Sequence, residues 1–169
     1  MGRPVELVGN LPMPDGIDVA RSTGRMYWTN MGYPPKNDGW IQSANLDGTD
    51  IRTVVPKGYV HTPKQLTLDQ ESDTLYFCDR EGLRVMRCKL DGSQLETILQ
   101  TGNWQKDTEK QQDARYWPVG ITISRKLNKF FWTQKGGSKA STGRIFSASL
   151  DMPAAVSYTH LTLPTNREV

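Results

Sequence analysis

Apolar and polar residues alternate in short runs along this chain, and no stretch holds the three-to-four-residue spacing of an amphipathic helix. The runs are rich in aromatic, Val, Ile and Leu side chains, and Gly, Asp, Ser and Asn separate them. That pattern predicts antiparallel strands joined by tight turns. It recurs in three copies with a period of about 50 residues. The first copy holds Pro14-Asp15-Gly16-Ile17, Arg25-Met26-Tyr27-Trp28-Thr29-Asn30, Gly39-Trp40-Ile41-Gln42-Ser43-Ala44-Asn45-Leu46-Asp47-Gly48 and Ile51-Arg52-Thr53-Val54-Val55. The second holds Pro63-Lys64-Gln65-Leu66, Thr74-Leu75-Tyr76-Phe77-Cys78-Asp79, Gly82-Leu83-Arg84-Val85-Met86-Arg87-Cys88-Lys89-Leu90-Asp91-Gly92 and Leu95-Glu96-Thr97-Ile98-Leu99. The third holds Pro118-Val119-Gly120-Ile121, Lys129-Phe130-Phe131-Trp132-Thr133-Gln134 and Gly143-Arg144-Ile145-Phe146-Ser147-Ala148-Ser149-Leu150-Asp151.

Each copy predicts one four-stranded antiparallel sheet. In Tyr27-Trp28, Tyr76-Phe77 and Phe131-Trp132 adjacent rings point to opposite faces of a strand, so both faces of every sheet must be covered. Small sheets covered on both sides stack radially, as in a β-propeller. The fold class expected is therefore all-β: a partial, open β-propeller of about three four-stranded antiparallel blades. Residues 14–56 and 57–102 are read as the first two blades, 103–116 as a charged insertion between blades, and 117–154 as an incomplete third blade. Within residues 1–13, Pro4 to Val8 is expected to be the outer strand of a preceding blade. The last segment, 155–169, resembles a translated sequencing adaptor and is set aside as non-native, His160 with it.

With these motifs in view, the copies resemble the YWTD repeats of low-density-lipoprotein-receptor-type propellers. The first copy matches the signature in Tyr27, Trp28 and Thr29, the second in Tyr76 and Asp79, the third in Trp132 and Thr133, and a Leu-Asp-Gly turn recurs. The resemblance implies a six-bladed propeller, of which three blades are visible here.

Composition narrows the function classes. The formal charge of +3 is spread along the chain with no Lys/Arg run, so nucleic acid is not an expected partner. No stretch approaches the ~20 apolar residues of a spanning helix, so no membrane is expected, and without a signal peptide the location leans cytoplasmic. Two cysteines form no disulfide framework and no C-x-x-C zinc spacing. Aligning the copies places Cys78 with Thr29 and Thr133, and Cys88 with Ala44 and Ala148, as buried, inert thiols. Asp47, Asp91 and Asp151 fall at turns, and Asn30, Asp79 and Gln134 close the aromatic strand, where a polar side chain can satisfy backbone donors. His61 has no sequence partners for base catalysis.

Loop lengths single out one face. The loops from second to third strand and the connectors between blades are long and varied: Met31 to Asp38, Lys135 to Thr142, and Asn103 to Tyr116. The opposite turns are short. Long loops converging on one rim favour function there. Asp15, Lys64 and Gln65, at the start of inner strands, should ring the central channel, with Asp79, Arg80 and Glu81 beside them and Trp117 flanking the insertion. These seven are the candidate ligand-binding residues; no catalytic or metal residue is nominated and no cofactor is implied. The leading reading is a non-catalytic module binding a protein, peptide or glycan on this face. The alternative is a hydrolase resembling gluconolactonases, with a divalent metal in the channel and most of its ligands outside this chain. The uncovered faces of a three-blade arc are expected to self-associate.

Overall fold

The computed structural model describes residues 2–153, so the tail set aside as non-native lies outside the described residues. Strands β1 (Pro14–Ala20), β2 (Arg25–Asn30), β3 (Gly39–Asn45) and β4 (Arg52–Val60) form one antiparallel sheet in sequential order. Strands β5 (Pro63–Asp69), β6 (Thr74–Asp79), β7 (Arg84–Lys89) and β8 (Glu96–Gln100) repeat it. The one-turn helix α1 (Thr108–Gln112) lies in the insertion, where no apolar period announces it. Strands β9 (Pro118–Ser124), β10 (Lys129–Gln134) and β11 (Arg144–Ser149) form a third sheet, three-stranded among the described residues. The fold is an open, all-β fan of propeller blades.

Two apolar seams hold the fan together, and the paired rings split between them. Tyr27, Ile41 and Val55 of the first blade pack on Leu66, Leu68, Leu75, Phe77 and Cys88 of the second. Tyr76, Cys78, Val85, Ile98 and Leu99 of the second pack on Phe130 and Trp132 of the third. Hence the first ring of each pair faces the following blade, and the second ring faces the preceding one. Phe77 and Phe130 are completely buried, each contributing roughly 1.5–3 kcal/mol through removal of apolar surface from water. Phe131 is only half-buried, because no described sheet follows it.

Two boundaries differ from expectation. Pro4 to Val8 forms no strand: no described strand lies alongside to accept its backbone bonds. The segment nevertheless covers the first blade, where Val8 and Leu11 pack on Met26, Trp28 and Ala44. The first blade also runs past residue 56. β4 continues to Val60 through an irregularity in its pairing with β3, which resumes at Gly39 opposite Val60. Residues 56–59 bulge out opposite Trp40, where Pro56 cannot donate to the ladder and Gly58 adopts φ 89°.

The recurrent Leu-Asp-Gly segments are turns. Gly48 N–H donates to the Asn45 carbonyl and Gly92 N–H to the Lys89 carbonyl, both at 2.9 Å, with φ 85° at each glycine. The Asp47 and Asp91 carboxylates accept from the Thr49 and Ser93 N–H at 3.0 and 2.9 Å.

Candidate functional site

Each inner strand starts with a proline paired to the last residue of the second strand: Pro14 with Asn30, Pro63 with Asp79, Pro118 with Gln134. Proline is tolerated there because the first residue of a strand need not donate to the ladder. The next N–H along, from Met31, Arg80 or Lys135, donates to the carbonyl just before that proline, at 3.0, 3.0 and 3.1 Å. This repeated frame aligns the starts of the inner strands and sets Arg80 and Lys135 in the loops beside them.

The candidate residues separate into two groups that share no hydrogen bond or ion pair among the described residues. In the first, Asp15 forms an ion pair with Lys64 and accepts from Gln65 Nε2 at 3.1 Å, tying β1 to β5 across the blade boundary. Lys64 Nζ also lies 3.4 Å from Met31 Sδ. In the second, the Arg80 guanidinium lies 4.8 Å from the centre of the half-buried Trp117 ring and pairs with Glu81 at 2.5 Å. Lys135 Nζ also lies over Trp117, at 5.6 Å, and the indole N–H donates to the Gln111 carbonyl at 2.7 Å. None of the described carboxylates pairs with Lys135. Glu81 is buried; its carboxylate accepts from the Thr62 hydroxyl, whose oxygen in turn accepts from the Glu81 N–H at 2.8 Å.

Asp79 has no surface to offer a ligand. Its fully buried carboxylate accepts from the N–H groups of His61 and Thr62, at 3.0 and 2.7 Å, and from Arg84 Nε at 2.9 Å. It anchors the connector between blades. The equivalent Asn30 meets a different connector: Pro12 has no N–H, the Asn30 Oδ1 finds no partner among the described residues, and the amide donates instead to Gln42 at 2.9 Å.

Sequence reasoning missed the partners of His61. Its buried ring meets Trp104 edge-on at 5.1 Å, and its Nε2 lies 3.1 Å from Gln111 Nε2. That amide nitrogen is also 3.3 Å from the Glu81 carbonyl. An amide that donates to a carbonyl makes His61 Nε2 the acceptor, leaving the ring proton on Nδ1, which has no partner among the described residues. Burial pushes the His61 pKa below its ordinary 6.5, against the opposing pull of Asp79 and Glu81. Helix α1 and Trp104 thus clamp the insertion onto the second blade. All the residues involved were visible in the sequence, but lie too far apart along it to be read as a cluster.

Both thiols are buried. Desolvation raises the Cys78 pKa far above the usual thiol range and pushes that of Cys88 up to about 12, so neither is a nucleophile. Asp15 is poorly placed to hold a metal ion, because the Lys64 ammonium already occupies its carboxylate. Among the described residues no group of three or more His, Cys, Asp or Glu side chains is arranged to hold a metal ion. On the opposite face, a polar cavity of about 290 Å³ lies between the second and third blades. Its Arg87 and Arg125 are ion-paired with Glu96 and Asp69.

The blade geometry can now be set beside known proteins. No family model matches the chain. It is 43% identical over 141 residues to low-density lipoprotein receptor-related protein 1 of Pyricularia oryzae, covering 82% of this chain and 45% of that protein. This chain belongs to the YWTD-repeat propellers. The YWTD blades also match a 3-hydroxyacyl-CoA dehydrogenase-like protein LAM1 of Cochliobolus heterostrophus, 47% identical over 148 residues, 88% of this chain and 31% of the relative. The chain therefore spans less than half the length of either relative. Among solved structures, the nidogen/laminin complex superposes with a TM-score of 0.63 at 20% identity, covering 82% of this chain and 44% of that one. A putative gluconolactonase superposes at 0.57 with 13% identity, over 88% and 49%. Both likenesses show the fold alone. No described helix is long and apolar enough to cross a membrane.

Proposed function

We propose that the chain is a binding module that takes a protein or peptide ligand on its long-loop rim, with Lys64, Arg80, Trp117 and Lys135 as its contacts. The observation that carries this is the Trp117 ring: it is half-buried, held by an indole hydrogen bond, and has two cations over it, of which only Arg80 has a carboxylate partner among the described residues. A fixed aromatic plane beside an unneutralised lysine is the kind of surface on which binding energy concentrates, and it suits a segment carrying carboxylates. Support from relatives is indirect: one similar protein is named as a lipoprotein receptor relative, and one similar structure is a complex of two proteins.

The test is selection of peptides from a random displayed library on the immobilised chain, followed by calorimetry. Lys135→Glu and Trp117→Ala should each weaken binding at least about tenfold. Asp47→Ala and Asp91→Ala, on the short-turn face, should leave it unchanged. Peptides that respond to the turn variants and ignore the rim would refute the proposal.

A further inference from the structure

The first two blades differ where they reach the short-turn face. Their registers make the positions equivalent: Arg25 pairs with Asn45 as Thr74 pairs with Lys89, Tyr27 with Ser43 as Tyr76 with Arg87, and Ser43 with Arg52 as Arg87 with Glu96. Asp50 and Gln94 each follow a turn glycine by two residues and share the left-handed conformation, φ 54° and 53°. In the first blade the buried Arg25 occupies this corner. Its guanidinium donates to Ser43 Oγ at 3.3 Å, Asn45 Oδ1 at 2.8 Å, Asp50 Oδ2 at 2.9 Å and the Asp50 carbonyl at 2.7 Å. A cation is thus enclosed by acceptors.

The second blade reverses the arrangement. Thr74 carries no guanidinium to place there, and the acceptors Ser43, Asn45 and Asp50 give way to Arg87, Lys89 and Gln94. The polar cavity of about 290 Å³ lies at this corner, lined by Thr74, Arg87, Lys89 and Gln94, with Arg125 contributed by the turn between β9 and β10. Leu150 packs on this seam as Leu90 packs on the first, so the space traces to the exchange of Arg25 for Thr74.

The cations around it keep donors in reserve. Arg87 uses Nε on Glu96 and Nη1 on the Leu150 carbonyl, and its Nη2 makes no hydrogen bond among the described residues. Arg125 uses Nε and Nη2 on Asp69, which leaves Nη1 in the same condition. Lys89 Nζ donates to the Ser72 carbonyl at 2.9 Å and the Thr74 hydroxyl at 3.2 Å, and no described carboxylate neutralises it. The two acids at the cavity, Glu96 and Asp151, are already engaged by Arg87 and Asn128. Where the first blade encloses a cation with acceptors, the second surrounds a space with donors. Guanidinium and ammonium groups on two separate elements suit a compact oxyanion that accepts from several directions at once.

We propose that this cavity is an anion site that takes a phosphate or sulfate group on Lys89, Arg87 and Arg125. It lies on the face opposite the rim and is independent of the ligand proposed there. The space exceeds one such group, so it admits either the free ion or a small ester.

Calorimetry of the whole chain against inorganic phosphate and against sulfate, at constant ionic strength in chloride, should show one saturable site. Either ion should raise the melting temperature above that in chloride alone. Lys89→Asn installs the residue that the first blade carries at this position, so it should keep the fold by circular dichroism and weaken phosphate at least about tenfold. Arg87→Ser, the matching exchange, should weaken it likewise, while Lys57→Ala, an exposed lysine of the first blade, should leave it unchanged. Phosphoserine separates the two sources: binding tighter than that of inorganic phosphate assigns the cavity to an ester, and weaker binding assigns it to the free ion. No saturable binding of either ion, or binding indifferent to both Lys89→Asn and Arg87→Ser, would overturn the proposal.

Discussion

Asp79 and His61 show what one buried ionisable side chain does in this fold. Replacing Asp79 with alanine would strand the Arg84 guanidinium and two backbone N–H groups inside the protein. Breaking a buried pair in this way costs roughly 3–5 kcal/mol, a large fraction of the stability of a domain this size. Asp79→Asn keeps an acceptor for the connector and should lose less, while Asp91→Ala, on an exposed turn, should shift the urea midpoint little. Equal shifts for Asp79→Ala and Asp91→Ala would reduce Asp79 to another turn residue. For His61 the proton balance sets the sign. The unfolded chain titrates near 6.5 and the folded chain below it, so between the two values the unfolded state binds more protons. Stability is thus complete above about pH 6.5 and falls as the pH drops below it. Melting temperatures between pH 7.5 and 5 should show this slope, and His61→Gln should flatten it. Internal alignment pointed to a polar side chain at Asp79 that could satisfy backbone donors, while the loop argument placed the same residue among the ligand contacts; Asn30, in its column, makes no such bonds among the described residues. The alignment could not expose the His61 contacts, which belong to one blade only and involve an insertion with no counterpart elsewhere.

Strands and turns were the most legible elements, since their alternation and punctuation are local. The two exceptions have physical causes. A five-residue helix of Thr-Glu-Lys-Gln-Gln presents no apolar stripe, and its position depends on the His61 clamp. The bulge in β4 depends on where Pro56 falls against β3, which a one-dimensional pattern does not report. The seams between blades bring out a subtler consequence of the repeat. Thr29 makes a hydroxyl bond to the next blade, whereas Cys78 makes only a weak, longer thiol bond. Cys78→Thr should therefore strengthen the second seam by about 0.5–1 kcal/mol, the net value of an ordinary hydrogen bond. Cys78→Val, similar in size but without a donor, should lose stability by leaving the Gly120 carbonyl unpaired. If threonine and valine behave alike in chemical denaturation, the bond across the seam contributes nothing.

At the scale of the whole molecule, stability in a stack of repeats is a sum of blade terms and nearest-neighbour seams. The second blade has a seam on each side and contains Leu75, Phe77, Val85 and Ile98, all fully buried. The first has one full seam plus the partial cover of Val8 and Leu11, and the third has a single seam and three described strands. Hydrogen exchange should therefore protect β6 and β7 most, β2 and β3 less, and β10 and β11 least, since local opening reports the contacts each unit must break. Uniform protection would mean that the blades unfold as one unit and that the nearest-neighbour picture fails for this chain.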